Sequence, residues 1–216
     1  MKVMVLATLH QLHGQVDFYT FEDLTRILKR FSPEVLAVEL TPQELKDRRP
    51  QPVKQEYPRS VYPLLDALPW EVVPLEPEEP LYSELVALGR RAVENLQRRS
   101  PDTLEHFGLY VNTLYQVLLR WWRSPAEVNS AETDRHMEIK HGYQSALFGD
   151  DEKTGWERWN QHFLDRILEA TARHPQGRML VLVGVEHAYW LRQHLREQEG
   201  VALMDTPSVL AEIQGD

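Results

Sequence analysis

The segment at residues 178–184, Arg-Met-Leu-Val-Leu-Val-Gly, is apolar at every position between its first residue and its last. Successive side chains of a strand point to opposite faces, so a strand with one exposed face would alternate polar and apolar residues. The unbroken apolar run therefore predicts a strand buried on both faces, as in a parallel sheet covered by helices. Similar short runs occupy residues 2–9, 34–40 and 70–75, and residues 201–204 form a weaker fifth candidate.

Helical patterns separate these strand segments. Thr20 and Asp23 have the spacing of a capping box, and Thr41 is followed by a proline and by Glu44. The alternation predicts an α/β fold with a central, mostly parallel sheet of four to five strands flanked by helices.

The middle of the chain has a different pattern. From about residue 80 to residue 173 we find amphipathic helical runs and no convincing strand. Breaks are expected at Ser100-Pro101, at Ser124-Pro125 and over residues 149–155. We therefore expect one domain spanning residues 1–216, with a helical insertion between the third and fourth strands at approximately 80–173.

Composition and charge narrow the classes of function. The chain contains no cysteine, so any metal must be held by histidine, carboxylate or backbone oxygen. A formal net charge of −9 argues against nucleic acid or an anionic membrane as the main partner. No apolar run reaches the roughly 20 residues that span a bilayer, and no signal peptide is recognisable. We expect a soluble, cytoplasmic protein; these features leave the oligomeric state open.

Side chains suited to chemistry follow the strand segments. Ligands of open parallel sheets bind beyond the carboxyl ends of the strands, where the loops converge. His10 follows the first strand, and His187 comes three residues after the glycine that ends the fourth. Glu76, after the third strand, opens an acidic, proline-rich run that we expect to be solvated.

Glu39 lies within the apolar second strand, where an ionised carboxylate is costly unless it is paired or bound to a metal. One interpretation is a salt bridge to Arg48 or Arg49. The other combines Glu39 with His10 and His187. Two imidazoles and one carboxylate suit a divalent ion such as zinc, iron, manganese or cobalt.

Several of these segments resemble one family, the TraB/Tiki group, which shares a broader superfamily with erythromycin esterase-like and ChaN-like haem-binding proteins. The resemblance implies a parallel α/β core with a helical middle. Tiki members are metal-dependent proteases in which two motif histidines and a glutamate are thought to serve the metal. Ala7 stands where the first motif normally has glycine. The matching segments are Ala7-Thr8-Leu9-His10, Val38-Glu39-Leu40 through Arg48-Arg49, Gly184-Val185-Glu186-His187, and Trp159-Asn160.

These observations lead to the hypothesis of a metal-dependent hydrolase that cleaves a peptide or small-molecule ester with metal-activated water. Glu186 is the candidate general base, and Asn160 or Arg49 is the candidate for stabilising the oxyanion. The alternative is a non-catalytic regulatory protein that binds a peptide, a haem-like group or another ligand on the same fold.

Overall fold

The computed structural model describes residues 1–215 and confirms the α/β class. Within these residues, five strands form one sheet in the order β3-β2-β4-β1-β5, and every pairing is parallel. The strands are β1 Lys2–Thr8, β2 Val35–Val38, β3 Glu71–Pro74, β4 Arg178–Gly184 and β5 Ala202–Leu203.

Helices flank the sheet and fill the chain between β3 and β4. Their bounds are α1 Phe21–Phe31, α2 Pro42–Asp47, α3 Tyr62–Leu65, α4 Leu81–Arg99, α5 Pro101–Trp121, α6 Pro125–Val128, α7 Ala131–Phe148, α8 Asp150–Arg173, α9 Val185–Leu195 and α10 Thr206–Gly215. A 3₁₀ helix covers His10–Gly14, and a π-helical turn covers Tyr57–Val61. Among residues 1–215, no helix is long and apolar enough to cross a bilayer.

The local signals at the first helices are confirmed, and the break expected over residues 149–155 is limited to one residue. Thr20 and Thr41 both form capping boxes, which begin α1 and α2. The segment 149–155 breaks the helical run only at Gly149, where φ is 87°. Helix α8 begins immediately afterwards because three acidic residues occupy its first turn, where they complement the helix dipole.

The strand order brings the sequence-distant ends of three strands together. Strand β4 lies between β1 and β2, with Thr8 opposite Gly184 and Val38 opposite Leu182. The loops that leave these three strands therefore begin side by side. The carboxyl ends of β1, β2 and β4 form the centre of one sheet edge, where ligands of such sheets usually bind.

Side chains form hydrogen bonds with the outer edge of β1 at the residues that the short strand β5 does not reach. Strand β5 pairs only with Lys2 and Val3. Beyond them, the Ala7 N–H donates to Asn129 Oδ1 at 2.8 Å, and Tyr19 donates its hydroxyl to the Ala7 carbonyl at 3.1 Å. Arg192 donates to the Val5 carbonyl at 2.9 Å. Buried backbone groups need such partners, so these bonds fix the strand that leads to His10.

Replacing Asn129 with leucine should destabilise the protein strongly. Asn129 is buried, accepts from Ala7 and Arg192, and donates to the Pro125 carbonyl. Each buried polar group that loses its partner costs about 1–3 kcal/mol, so we expect a total loss on the order of 3 kcal/mol. Urea unfolding measures this loss, with exposed Asn112→Leu as the matched control. Equal stability of the two variants would contradict this account of the β1 edge.

Candidate functional site

His10, Glu39 and His187 meet at the central sheet edge. His10 Nε2 lies 3.8 Å from Glu39 Oε1, and Glu39 Oε2 accepts a hydrogen bond of 2.6 Å from the Gly184 N–H. His187 lies in the first turn of α9. The three side chains line two adjoining cavities of about 350 and 410 Å³. The structure therefore brings together the three residues that the sequence analysis singled out as metal ligands.

His10 is held by a carboxylate that the sequence analysis did not identify. Its Nδ1 lies 2.7 Å from Glu56 Oε1, and Glu56 is fully buried. Burial alone would lower the pKa of His10, but the bond to Glu56 and the charges of Glu39 and Glu56 outweigh burial and raise it. His10 also has a φ of 49°, an uncommon conformation for a residue with a side chain, as is often found at functional sites.

Glu39 is a buried carboxylate whose partner is a lysine. It is 4% exposed, and Lys54 Nζ lies 3.2 Å from its Oε1 while donating to its backbone carbonyl at 2.7 Å. Burial alone would raise the pKa of Glu39, but the charges of Lys54, His10 and His187 and the Gly184 N–H lower it to about 2. The charges of Glu39 and Glu76 in turn hold the pKa of Lys54 above its ordinary value despite its burial. Glu39 and Lys54 are therefore both charged at neutral pH.

The sequence-based salt bridge from Glu39 to Arg48 or Arg49 is wrong. Arg48 forms a bidentate pair with Asp66 on the surface. Arg49 is exposed just after α2 and lines neither cavity, so it is not placed to stabilise an oxyanion there.

Glu76 is buried, which contradicts the expectation that it is solvated. Its Oε1 accepts from Lys54 at 2.8 Å, and its Oε2 accepts from Trp159 Nε1 at 2.7 Å. Burial raises the pKa of Glu76, with a further contribution from the negative charge of Glu39. Lys54 thus lies between two carboxylates that follow neighbouring strands, β2 and β3.

His187 is oriented by Asn160. Its Nδ1 lies 2.9 Å from Asn160 Oδ1, and the Asn160 amide nitrogen donates to the Trp156 carbonyl at 2.8 Å. The amide oxygen can only accept, so Nδ1 of His187 carries the hydrogen and Nε2 offers a lone pair. Burial lowers the pKa of His187 to about 4, so this imidazole is neutral at pH 7. Asn160 is fully buried and committed to this contact, which suits a positioning role better than oxyanion stabilisation.

Gly184 is required for space. Its φ of −57° and ψ of 149° are open to any residue, so a sharp exit from the strand does not explain the glycine. A Cβ at this position would lie 2.6 Å from His10 Nε2 and 3.4 Å from Glu39 Oε2. Any side chain here would displace His10 from its place beside Glu39.

Glu186 is poorly suited to be the general base. Its two oxygens accept from the Tyr115 hydroxyl at 2.7 Å and from Lys140 Nζ at 2.8 Å. Burial would raise the pKa of Glu186, but His141 and Lys140 lower it well below its ordinary range. A carboxylate with a low pKa, whose two oxygens already accept hydrogen bonds, has little affinity for the proton of a water molecule.

The donor atoms suit a divalent metal in kind, whereas their arrangement does not form a metal site. Histidine Nε2 atoms with Nδ1 bound to an oxygen, as in His10 and His187, are typical of metal ligands. However, no group of three or more His, Asp or Glu residues within 1–215 is arranged to hold an ion. Lys54 also already neutralises Glu39. The metal therefore stays a prediction from the residue types.

Lys54 and Glu56 were missed because they lie outside any strand or motif. They fall in the proline-containing stretch Pro50-Gln-Pro-Val-Lys-Gln-Glu, between α2 and the π-helical turn. A charged loop residue is normally solvated, so sequence alone gives no reason to place either one in the core. The only signal was indirect, since the buried Glu39 required a cationic partner within reach.

Replacing Glu56 with glutamine should lower the pKa of His10. The substitution keeps the shape and removes the negative charge that favours the protonated imidazole. NMR titration of the histidine ring protons measures the pKa, and exposed Glu78→Gln provides the same charge change away from the site. An unchanged His10 titration in Glu56→Gln would contradict the pairing.

Comparison of the chain with protein-family models, curated proteins and solved structures finds no match. The resemblance to the TraB/Tiki group accordingly rests on the short segments around His10, Glu39 and His187 and on Trp159-Asn160. What that resemblance implies about activity remains a proposal. The function has to be inferred from the geometry of the site itself.

Proposed function

We propose that the chain is a hydrolase that cleaves a peptide or small-molecule ester bond at the central sheet edge. The observation that supports this most is that two imidazoles are anchored through Nδ1 beside an ionised glutamate. His10 is bound by Glu56 and His187 by Asn160. Both side chains border the same cavities, and in the proposal each Nε2 contacts water or substrate.

In the proposed reaction, His10 is the general base. Its neutral Nε2 takes a proton from water while the water oxygen forms a bond to the carbonyl carbon. Glu56 stabilises the resulting imidazolium, as a carboxylate does for histidine in other hydrolases. The bond from carbon to the leaving oxygen or nitrogen then breaks, and His10 returns the proton to that atom. The products are a carboxylic acid and an alcohol or amine.

The other groups position water and stabilise charge. His187 stays neutral and accepts a hydrogen bond from the attacking water. The first turn of α9 supplies backbone N–H groups that have no partner within the helix, and Gly184 provides no capping side chain. Val185, Glu186 and His187 line the smaller cavity. Their N–H groups are our candidates for binding the oxyanion, in place of Asn160 and Arg49.

Ester hydrolysis by histidine variants tests the proposal. With p-nitrophenyl acetate and butyrate, we expect His10→Ala to lower kcat/KM by about 10²–10⁴-fold. His187→Ala should lower it by a smaller factor, because His187 positions the water and does not take its proton. His194→Ala is the matched control, because His194 lies on the same helix and lines neither cavity. Activity should rise with pH as His10 loses its proton, and Glu56→Gln should move this rise to lower pH.

Two results would contradict the proposal. One is no hydrolysis by the wild-type chain of these esters or of a peptide library, with or without added metal. That outcome would favour the non-catalytic ligand-binding alternative. The other is equal activity of His187→Ala and His194→Ala.

A metal-dependent form of the same hydrolase is the second candidate. The observation in its favour is the donor set of His10, Glu39 and His187, in which both imidazoles are anchored at Nδ1. A bound divalent ion would polarise the carbonyl and acidify water. The same assay with chelator, and with manganese, zinc, cobalt or iron, separates the two forms. Loss of activity in chelator, restored by one metal, would support the metal form, and unchanged activity would contradict it.

A further inference from the structure

The larger of the two cavities has mostly apolar walls. Its volume is about 410 Å³, and it adjoins the smaller cavity at His10, Glu39, Val53 and His187. Two helices supply its apolar walls. The side chains involved are Tyr82, Leu85 and Val86 of α4 and Trp156 and Trp159 of α8.

Two glycines, Gly89 of α4 and Gly155 of α8, differ in the space around them. Gly155 allows close contact, since a Cβ there would lie 3.4 Å from the Leu88 Cβ. Gly89 lines the cavity, and a Cβ there would meet nothing within 4 Å. Glycine inside a helix is less stable than alanine, and packing does not require it at position 89. Gly89 therefore leaves space at this wall of the cavity that a larger side chain would occupy.

Apolar side chains remain uncovered beside the reactive groups. Val86 is 47% exposed and Val53 is 42% exposed, and both border this cavity. An apolar cleft that also contains a few converging polar groups is the usual form of a small-molecule site. This cleft is bordered by His10 and His187. A part of the substrate that binds in the cleft would therefore lie next to the carbonyl group that reacts.

The charges around the cavity limit what the apolar walls can bind. Among the described residues, those with carboxylates that border it are Glu39, Glu76 and Glu152, and the cationic side chains are Lys54 and the protonated form of His10, whose pKa is raised. This excess of carboxylates disfavours a negatively charged group, because like charges in a partly desolvated cleft repel.

We infer that this cavity binds the apolar part of the substrate, as a neutral chain or ring, and that Gly89 sets the space available to it. The inference rests on the proposed hydrolase activity, since it places the scissile carbonyl where the two cavities meet. The smaller cavity then receives the group on the other side of that carbonyl.

Binding of straight-chain methyl ketones tests this inference without turnover, because a ketone has a carbonyl and no leaving group. The series runs from 2-butanone through 2-hexanone to 2-octanone, measured by calorimetry and by tryptophan fluorescence. For the wild-type chain we expect affinity to rise up to about fourfold per methylene. The anion 7-oxooctanoate should bind more weakly than 2-octanone.

Two glycine variants make the test specific. Gly89→Leu should fill the cavity and abolish the gain with chain length. Gly108→Leu is the matched control, because Gly108 is a helical glycine with open space around it and lies outside the cavity. Thermal melts establish that both variants fold. If Gly89→Leu does not fold, Val86→Trp replaces it, since Val86 borders the same cavity from the same helix.

The outcomes separate this inference from the proposed function. A chain-length gain in wild type and Gly108→Leu that is lost in the cavity variant supports the inference, even if no ester is hydrolysed. No gain in wild type, or the same gain in the cavity variant, overturns it even if hydrolysis is observed. Binding of 7-oxooctanoate as tight as that of 2-octanone would overturn the requirement for a neutral group.

Discussion

The buried charge of Glu39 is the constraint on which the candidate site depends. An ionised carboxylate at the end of a central strand is tolerated only if other groups compensate it. Lys54, the Gly184 N–H and His10 supply this compensation, and each comes from a different part of the chain. Lys54 in turn requires Glu76, and His10 requires Glu56. One buried charge therefore accounts for a network of polar groups where an apolar core would otherwise continue.

Sheet topology makes this network possible. Because β4 lies between β1 and β2, residues nearly 180 positions apart leave the sheet side by side. Gly184 leaves room for the His10 side chain beside Glu39, because a Cβ at position 184 would collide with His10. The proposed chemistry follows from this placement, which brings one imidazole backed by a carboxylate and one neutral imidazole to the edge of two cavities.

The fold and half of the site were accessible from the sequence. Unbroken apolar runs and capping boxes predict the strands and first helices because they depend on local periodicity. His10, Glu39 and His187 were found because the ends of parallel strands have a known location. Lys54, Glu56 and the burial of Glu76 could not be predicted, since burial of a charged loop residue depends on partners far away in sequence. Gly184 is visible in the sequence at the end of the fourth strand. The reason that a glycine is needed there is the space occupied by the His10 side chain, which no local pattern shows.

The stability of Glu39 and Lys54 variants tests the central claim, which is that Glu39 is ionised and paired with Lys54. At pH 7, Lys54→Met removes the cation from Glu39 and Glu76 and should cost on the order of 3–5 kcal/mol. Adding Glu39→Gln to this variant should recover part of the loss, giving a clear coupling energy in a double-mutant cycle. Urea unfolding of wild type, both single variants and the double variant provides the four values. Additive effects, within about 0.5 kcal/mol, would contradict the claim.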